Sequence, residues 1–178
     1  ELKRVYYSSY IPVIKSPLLP ANPAGLLREH RLYQADWLIR FYGFDVNELC
    51  GEGENLCTDY DPKCAWALKN MHLFPVEINT APLEMLLRVP GIGAKSAYKI
   101  TEARRFCALG FDNLAKMRIV LKRAKHFITC KGKFYGAEGN AARAALLIDE
   151  KNRTDVCNEQ LSLFSDHENA LSALTGEL

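Results

Sequence analysis

The chain has 178 residues, 48% of them apolar, and its 23 Lys and Arg against 21 Asp and Glu leave a net charge of +2. That is enough apolar sequence for one ordinary core or two small ones, and the total charge alone points to no polyanionic partner. No apolar run approaches the roughly 18 residues of a membrane span and no signal peptide is visible. The six cysteines (Cys50, Cys57, Cys64, Cys107, Cys130, Cys157) form no short CxxC pair and read as reduced thiols of a cytoplasmic protein.

The chain starts at Glu1, not at Met, directly in strand-like sequence, and reads as a piece of something longer. Arg4-Val5-Tyr6-Tyr7-Ser8-Ser9-Tyr10-Ile11-Pro12-Val13 is rich in β-branched and aromatic residues and predicts one strand ending near Pro12, which needs partner strands. Pro17, Pro20 and Pro23 keep residues 15–25 out of a helix. Residues 26–42 then predict a long amphipathic helix closed by Gly43. An acidic, Gly-rich loop covers residues 47–60, and Asp61-Pro62 caps a short helix over residues 63–70. In Ile78-Asn79-Thr80-Ala81, Asn79 or Thr80 is the expected N-cap of the next helix, with Pro82 in its first turn.

The most informative stretch follows: Leu86-Leu87-Arg88-Val89-Pro90-Gly91-Ile92-Gly93-Ala94-Lys95-Ser96-Ala97-Tyr98-Lys99-Ile100. Pro90 stops one helix, Gly91 and Gly93 allow a tight turn with no Cβ to block close approach, and a second helix starts at Ala94. The first amides of that helix lack intrahelical partners and, with the positive end of the dipole, form a ready anion site. Lys95, Ser96 and Lys99 stand near it as side-chain donors. The charge is concentrated here as well. Residues 88–133 hold 12 basic against two acidic side chains, a net of +10, between flanks of −3 and −5. Such a basic block is an electrostatic footprint for nucleic acid.

A shift of 27 residues places Leu87 on Leu114, Ile92 on Ile119, Lys95 on Lys122, Ala97 on Ala124 and Ile100 on Phe127, with Arg118 and Val120 where the glycines stood. This second copy keeps the apolar frame and loses the turn chemistry, so it is expected mainly to support the first, with Lys122 and Arg123 reaching a second strand. Coincidental helical periodicity is the alternative. Residues 138–150 predict an Ala-rich helix, and residues 152–178 an acidic, weakly periodic, mobile tail.

The apolar-Pro-Gly-apolar-Gly core in its apolar frame resembles the helix-hairpin-helix motif. Paired hairpins of that kind pack about a pseudo-two-fold axis, which implies a four-helix unit gripping phosphate through Arg88, Gly91, Ile92, Gly93, Ala94, Lys95, Ser96, Lys99, Lys122 and Arg123. A more specific likeness runs through most of residues 2–134. Arg4-Val5-Tyr6-Tyr7-Ser8, Leu27 to Trp37, Asp61-Pro62-Lys63 and Phe74-Pro75-Val76-Glu77-Ile78-Asn79 together resemble the C-terminal part of a bacterial family, the DNA modification or repair radical SAM proteins with a helix-hairpin-helix domain. The resemblance implies a preceding radical SAM barrel with Val5 to Tyr10 as its last strand. It also implies a [4Fe-4S] cluster and S-adenosylmethionine in that missing domain. The CxxxCxxC cluster motif is absent from this chain, so no iron-sulfur chemistry is assigned to it. In the tail, Gln160-Leu161-Ser162-Leu163-Phe164 resembles the short peptide by which bacterial repair proteins dock on the sliding clamp; packing of these residues on the domain is the alternative.

The expected architecture is mainly α: strand and loop of the missing barrel (1–24), a helical connector (25–73), a tandem helix-hairpin-helix domain (74–133), and a helix with a flexible acidic tail (134–178). Cys50, Cys57 and Cys64, spaced by seven, could surround a metal, but structural zinc and cluster motifs use tighter pairs, and no metal is assigned. His30 within Arg28-Glu29-His30-Arg31 marks either a contact toward the barrel and its cofactor or a plain polar helix face. Three functions follow. The favoured one is a DNA-backbone-binding module without sequence choice, tethered through the tail. The second is a glycosylase/lyase using Lys95 as Schiff-base nucleophile and Asp112 as its assistant. The third is a non-catalytic scaffold that recruits the clamp.

Overall fold

The computed structural model describes residues 5–14, 16–20, 22–137, 139 and 142–151. The apolar spacing and caps place helices where they should fall. Helix α1 (Leu26–Tyr42) ends on Gly43, whose φ of 68° supplies the left-handed closing residue. A short α2 (Val46–Leu49) is held by a capping box between Asp45 and Glu48. In α3 (Pro62–Lys69) the Asp61 carboxylate accepts the Cys64 amide at 2.9 Å, with Pro62 in the first turn.

The chain then makes one 3-10 turn (Met71–Leu73), strand β1 (Val76–Glu77), and two helix–turn–helix units. The first is α4 (Leu83–Arg88) with α5 (Ala94–Ala103), and the second α6 (Phe111–Lys116) with α7 (Leu121–Ala124). Strands β2 (Ile128–Cys130) and β3 (Lys133–Phe134) complete a three-stranded sheet of order β1-β2-β3, and residues 142–151 are helical, α8. β1 runs parallel to β2, with Val76 opposite Ile128, and β2 antiparallel to β3, with Thr129 opposite Phe134. Strands of two or three residues carry no alternation to read, so the sequence does not announce this sheet. Glu77 explains its stability: its carboxylate accepts the amides of Lys131 and Gly132 at 3.1 and 3.0 Å, closing the β2–β3 turn onto β1.

One hydrophobic core joins these elements, running from Leu38 and Phe44 through Trp66, Ile78, Leu86, Ile92, Ile100, Leu114 and Phe127 to Leu146 of α8. At its centre Phe44, Trp66, Phe74 and Phe127 form a chain of edge-on rings with centroids 5.4, 6.3 and 5.1 Å apart, a geometry that adds to area burial. α8 is locked down electrostatically. Arg123 of α7 is buried among Asp61, Asp149 and Glu150, and the other Glu150 oxygen meets Arg31 of α1 at 2.8 Å. Arg31, itself 2% exposed, also donates to Thr58 O and Gln34 Oε1, each at 2.9 Å.

Two expectations are corrected. Residues 5–13 form no strand; lacking a partner strand, the segment gives its Tyr7 amide to the Tyr33 hydroxyl at 3.0 Å and its Ser9 amide to Glu29 at 2.8 Å. Pro82, expected in the first turn of α4, is itself the N-cap, so Thr80 is not the cap and neither is Asn79. The Asn79 amide group instead pairs with Leu109 in both directions, Oδ1 accepting from N at 2.7 Å and Nδ2 donating to O at 3.0 Å, which ties the two helix–turn–helix units together.

Candidate nucleic-acid interface

The two turns share a left-handed position and an apolar frame. At the 27-residue shift, Gly91 has φ 87° and Arg118 has φ 59°, so the second turn keeps the left-handed residue without glycine. Ile92 and Ile119, Ala97 and Ala124, and Ile100 and Phe127 are all buried. The helix before the turn is offset by one: the fully buried partner of Leu114 is Leu86, and Leu87 is half-buried.

Gly91 has a reason beyond its φ. A Cβ there would lie 3.0 Å from the Ala124 amide nitrogen, 3.2 Å from the Arg123 Cβ and 3.2 Å from the Val120 carbonyl. The first turn is thus pressed against the start of α7, and Gly91 is required for that approach. Gly93 faces the opposite situation, with only the Tyr42 hydroxyl at 3.6 Å. Space in front of Gly93 is open to a ligand.

Gly93 is the N-cap of α5, whose first helical bond runs from Ala97 N to Gly93 O at 2.9 Å. The amides of Gly93, Lys95 and Ser96 meet no acceptor among the described residues, and the Ala94 amide reaches the Tyr42 hydroxyl at 3.3 Å. Lys95 and Lys99 are exposed on α5, and Ser96 is half-buried. Beneath the turn the Ile92 side chain is core, while its carbonyl accepts from the buried Lys63 at 2.6 Å. Tyr42, Asp61, Lys63, Gly93, Lys122 and Asp149 are among the residues lining a cleft of about 480 Å³ at this place.

Of the residues expected to contact phosphate, two are committed elsewhere. Arg123 is 7% exposed and spends its guanidinium on three carboxylates. Arg88 donates from one nitrogen, Nη2, to both Glu48 carboxylate oxygens at 2.9 Å and lies over the Phe44 and Trp66 rings, at 4.7 and 5.4 Å from their centroids. Both are structural cations. Lys122 is exposed but paired with Asp149. Burial alone would raise the Asp149 pKa, and the hydrogen bonds from Lys122 and Arg123 outweigh it and hold the carboxyl below its usual range. Arg104 likewise caps backbone, donating to Ile78 O and Ala81 O at 3.0 and 2.6 Å. The cations left exposed around the two turns are Lys95, Lys99, Lys116 and Arg118.

No family model matches the chain, and neither a curated protein nor a solved structure does.

Lys95 and Asp112 are both exposed, in the first turns of α5 and α6, and no hydrogen bond or ion pair joins them. Among the described residues no three His, Cys, Asp or Glu side chains are grouped to hold a metal. Cys64 is buried, which pushes its thiol up to about 12, and Cys50 donates to Glu54 O at 2.8 Å. His30 is exposed on α1. Gln160, Leu161, Ser162, Leu163 and Phe164 lie outside the described residues. No helix among the described residues is long and apolar enough to cross a membrane. Tyr42 and Lys63 were missed in the sequence, although Lys63 carries a signal: a cation in the first turn of a helix opposes the dipole.

Proposed function

We propose that the chain binds the nucleic-acid backbone, DNA above all, without sequence choice, through a tandem helix-hairpin-helix unit formed by α4–α5 and α6–α7. The observation that carries this reading is the set of unpartnered amides at Gly93, Lys95 and Ser96, with open space at Gly93 and exposed Lys95 and Lys99 beside it. Amides and ammonium groups contact phosphate oxygens, which are the same at every base pair, so such contacts position a duplex and do not read it.

In this reading α6–α7 is mainly a support. Its turn backs onto Gly91, and Arg123 serves the core. The module belongs with a radical SAM DNA repair or modification protein whose barrel would hold the [4Fe-4S] cluster and S-adenosylmethionine, and the 160–164 peptide would tether it to a sliding clamp. The exposed and separate positions of Lys95 and Asp112 favour phosphate contact over lyase chemistry at Lys95. The test is fluorescence anisotropy with several unrelated duplexes of equal length. Affinities that agree within about threefold support the reading, and a strong preference for one sequence contradicts it.

A further inference from the structure

Lys63 lies at the second position of α3, against the helix dipole, and is only 9% exposed. Its ammonium has three donors. Among the described residues the one acceptor it meets is the Ile92 carbonyl at 2.6 Å, and its Nζ stands 4.9 Å from the Tyr42 ring centroid. The titratable groups that line the same cleft are Tyr42 from α1, Asp61 at the head of α3, Lys122 and Arg123 from α7, and Asp149 from α8. Both carboxylates already hold cations, Asp61 with Arg123 and Asp149 with Lys122 and Arg123. A buried ammonium so poorly matched costs stability, and burial accordingly lowers the Lys63 pKa to about 7, opposed only in part by Asp61.

The bond to Ile92 also has a geometric effect. The peptide joining Ile92 to Gly93 is trans, so its C=O and N–H point in opposite directions. Drawing the carbonyl onto Lys63 holds the Gly93 amide on the opposite side of that peptide, where it meets no acceptor among the described residues, and polarises it as a donor. Resting on the backbone-binding reading above, we infer that Lys63 is the positioning residue of the phosphate site: from behind the turn it presents the Gly93 amide to a nucleic-acid phosphate, whose charge in turn favours the protonated lysine.

The sign follows from linkage. If the bound phosphate raises the Lys63 pKa, affinity is full below the free-protein value near 7 and falls as pH rises toward the higher value in the complex. Each unit of that rise is worth a factor of ten in affinity. The experiment is anisotropy with a short duplex from pH 6.5 to 8.5, on the full chain and on Lys63→Met. The wild type should lose affinity about tenfold across the range, and Lys63→Met should bind more weakly and flatly. A Lys63→Met profile that parallels the wild type overturns the inference while leaving backbone binding intact. Failure of the wild type to bind any duplex overturns that reading itself. If Lys63→Met does not fold, NMR titration of the wild-type Lys63 side chain decides. An upward pKa shift with duplex, and a Gly93 amide resonance that follows the Lys63 titration, support the inference; no shift refutes it. An equal shift with inorganic phosphate alone assigns the site to free phosphate and refutes the nucleic-acid assignment.

Discussion

Replacing Gly91 by alanine perturbs the joint between the two helix–turn–helix units. Two costs are readable from its surroundings. An L-residue held at φ 87° pays about 1–2 kcal/mol, and a Cβ 3.0 Å from the Ala124 nitrogen forces overpacking worth about 1–3 kcal/mol. Together they destabilise the fold by roughly 2–5 kcal/mol, a drop of about 5–15 °C in Tm for a chain of this size. Gly93→Ala is the contrast. Its φ is −84° and its nearest neighbour the Tyr42 hydroxyl at 3.6 Å, so its stability cost stays within about 1 kcal/mol, that of a weaker N-cap. Thermal melts followed by circular dichroism compare the two variants directly. A Gly91→Ala protein melting within about 2 °C of the wild type would refute the close-packed joint. Loss of binding in the Gly91 variant alone would therefore say little about phosphate, whereas Gly93 variants keep the fold and report on the ligand face.

Other outcomes follow from the same contacts. Arg123→Met strands Asp61, Asp149 and Glu150 without their shared cation, and should cost about 3–5 kcal/mol in urea denaturation; a loss below 1 kcal/mol would show the cluster to be dispensable. Asn79→Ala removes both bonds to Leu109 and should cost about 2 kcal/mol by the same assay. Burial would raise the Glu77 pKa, but hydrogen bonds from Gly132, Asn79 and Lys131 outweigh it and hold the carboxyl below 4.5. Because the folded value is depressed, this stabilisation is present above the unfolded pKa and is lost as pH falls through the folded one. Stability of Glu77→Gln measured from pH 6 to 3 should therefore decline less steeply than that of the wild type.

What could be read from residues alone was local. Helix α1 and its Gly43 terminus, the Asp61 cap of α3 and the start of α5 at Ala94 all follow from signals within a few residues of the feature. The three short strands escaped because their stability comes from Glu77 reaching 54 and 55 residues along the chain to two amides. The site shows the same division. The unpaired amides at Gly93, Lys95 and Ser96 follow from where a helix begins, and they are as expected. Which cations remain available is a tertiary question, and spacing misassigned it: Arg88 and Arg123 look like neighbours of Lys95 and Lys122, yet each is consumed by carboxylates from distant elements. By its place in the turn Gly91 suits close approach by a ligand, and its closeness is to α7.

Salt dependence of duplex binding tests the central claim most directly. With Lys95, Lys99, Lys116 and Arg118 as the exposed cations near the turns that hold no ion pair among the described residues, about four neutralised phosphates give a slope of log affinity against log salt near −3 to −4. Changing Lys95 and Lys99 together to Gln should make that slope shallower by about 2 units while the fold persists. A slope near zero in the wild type, or one that the double substitution leaves unchanged, would contradict backbone binding at the head of α5.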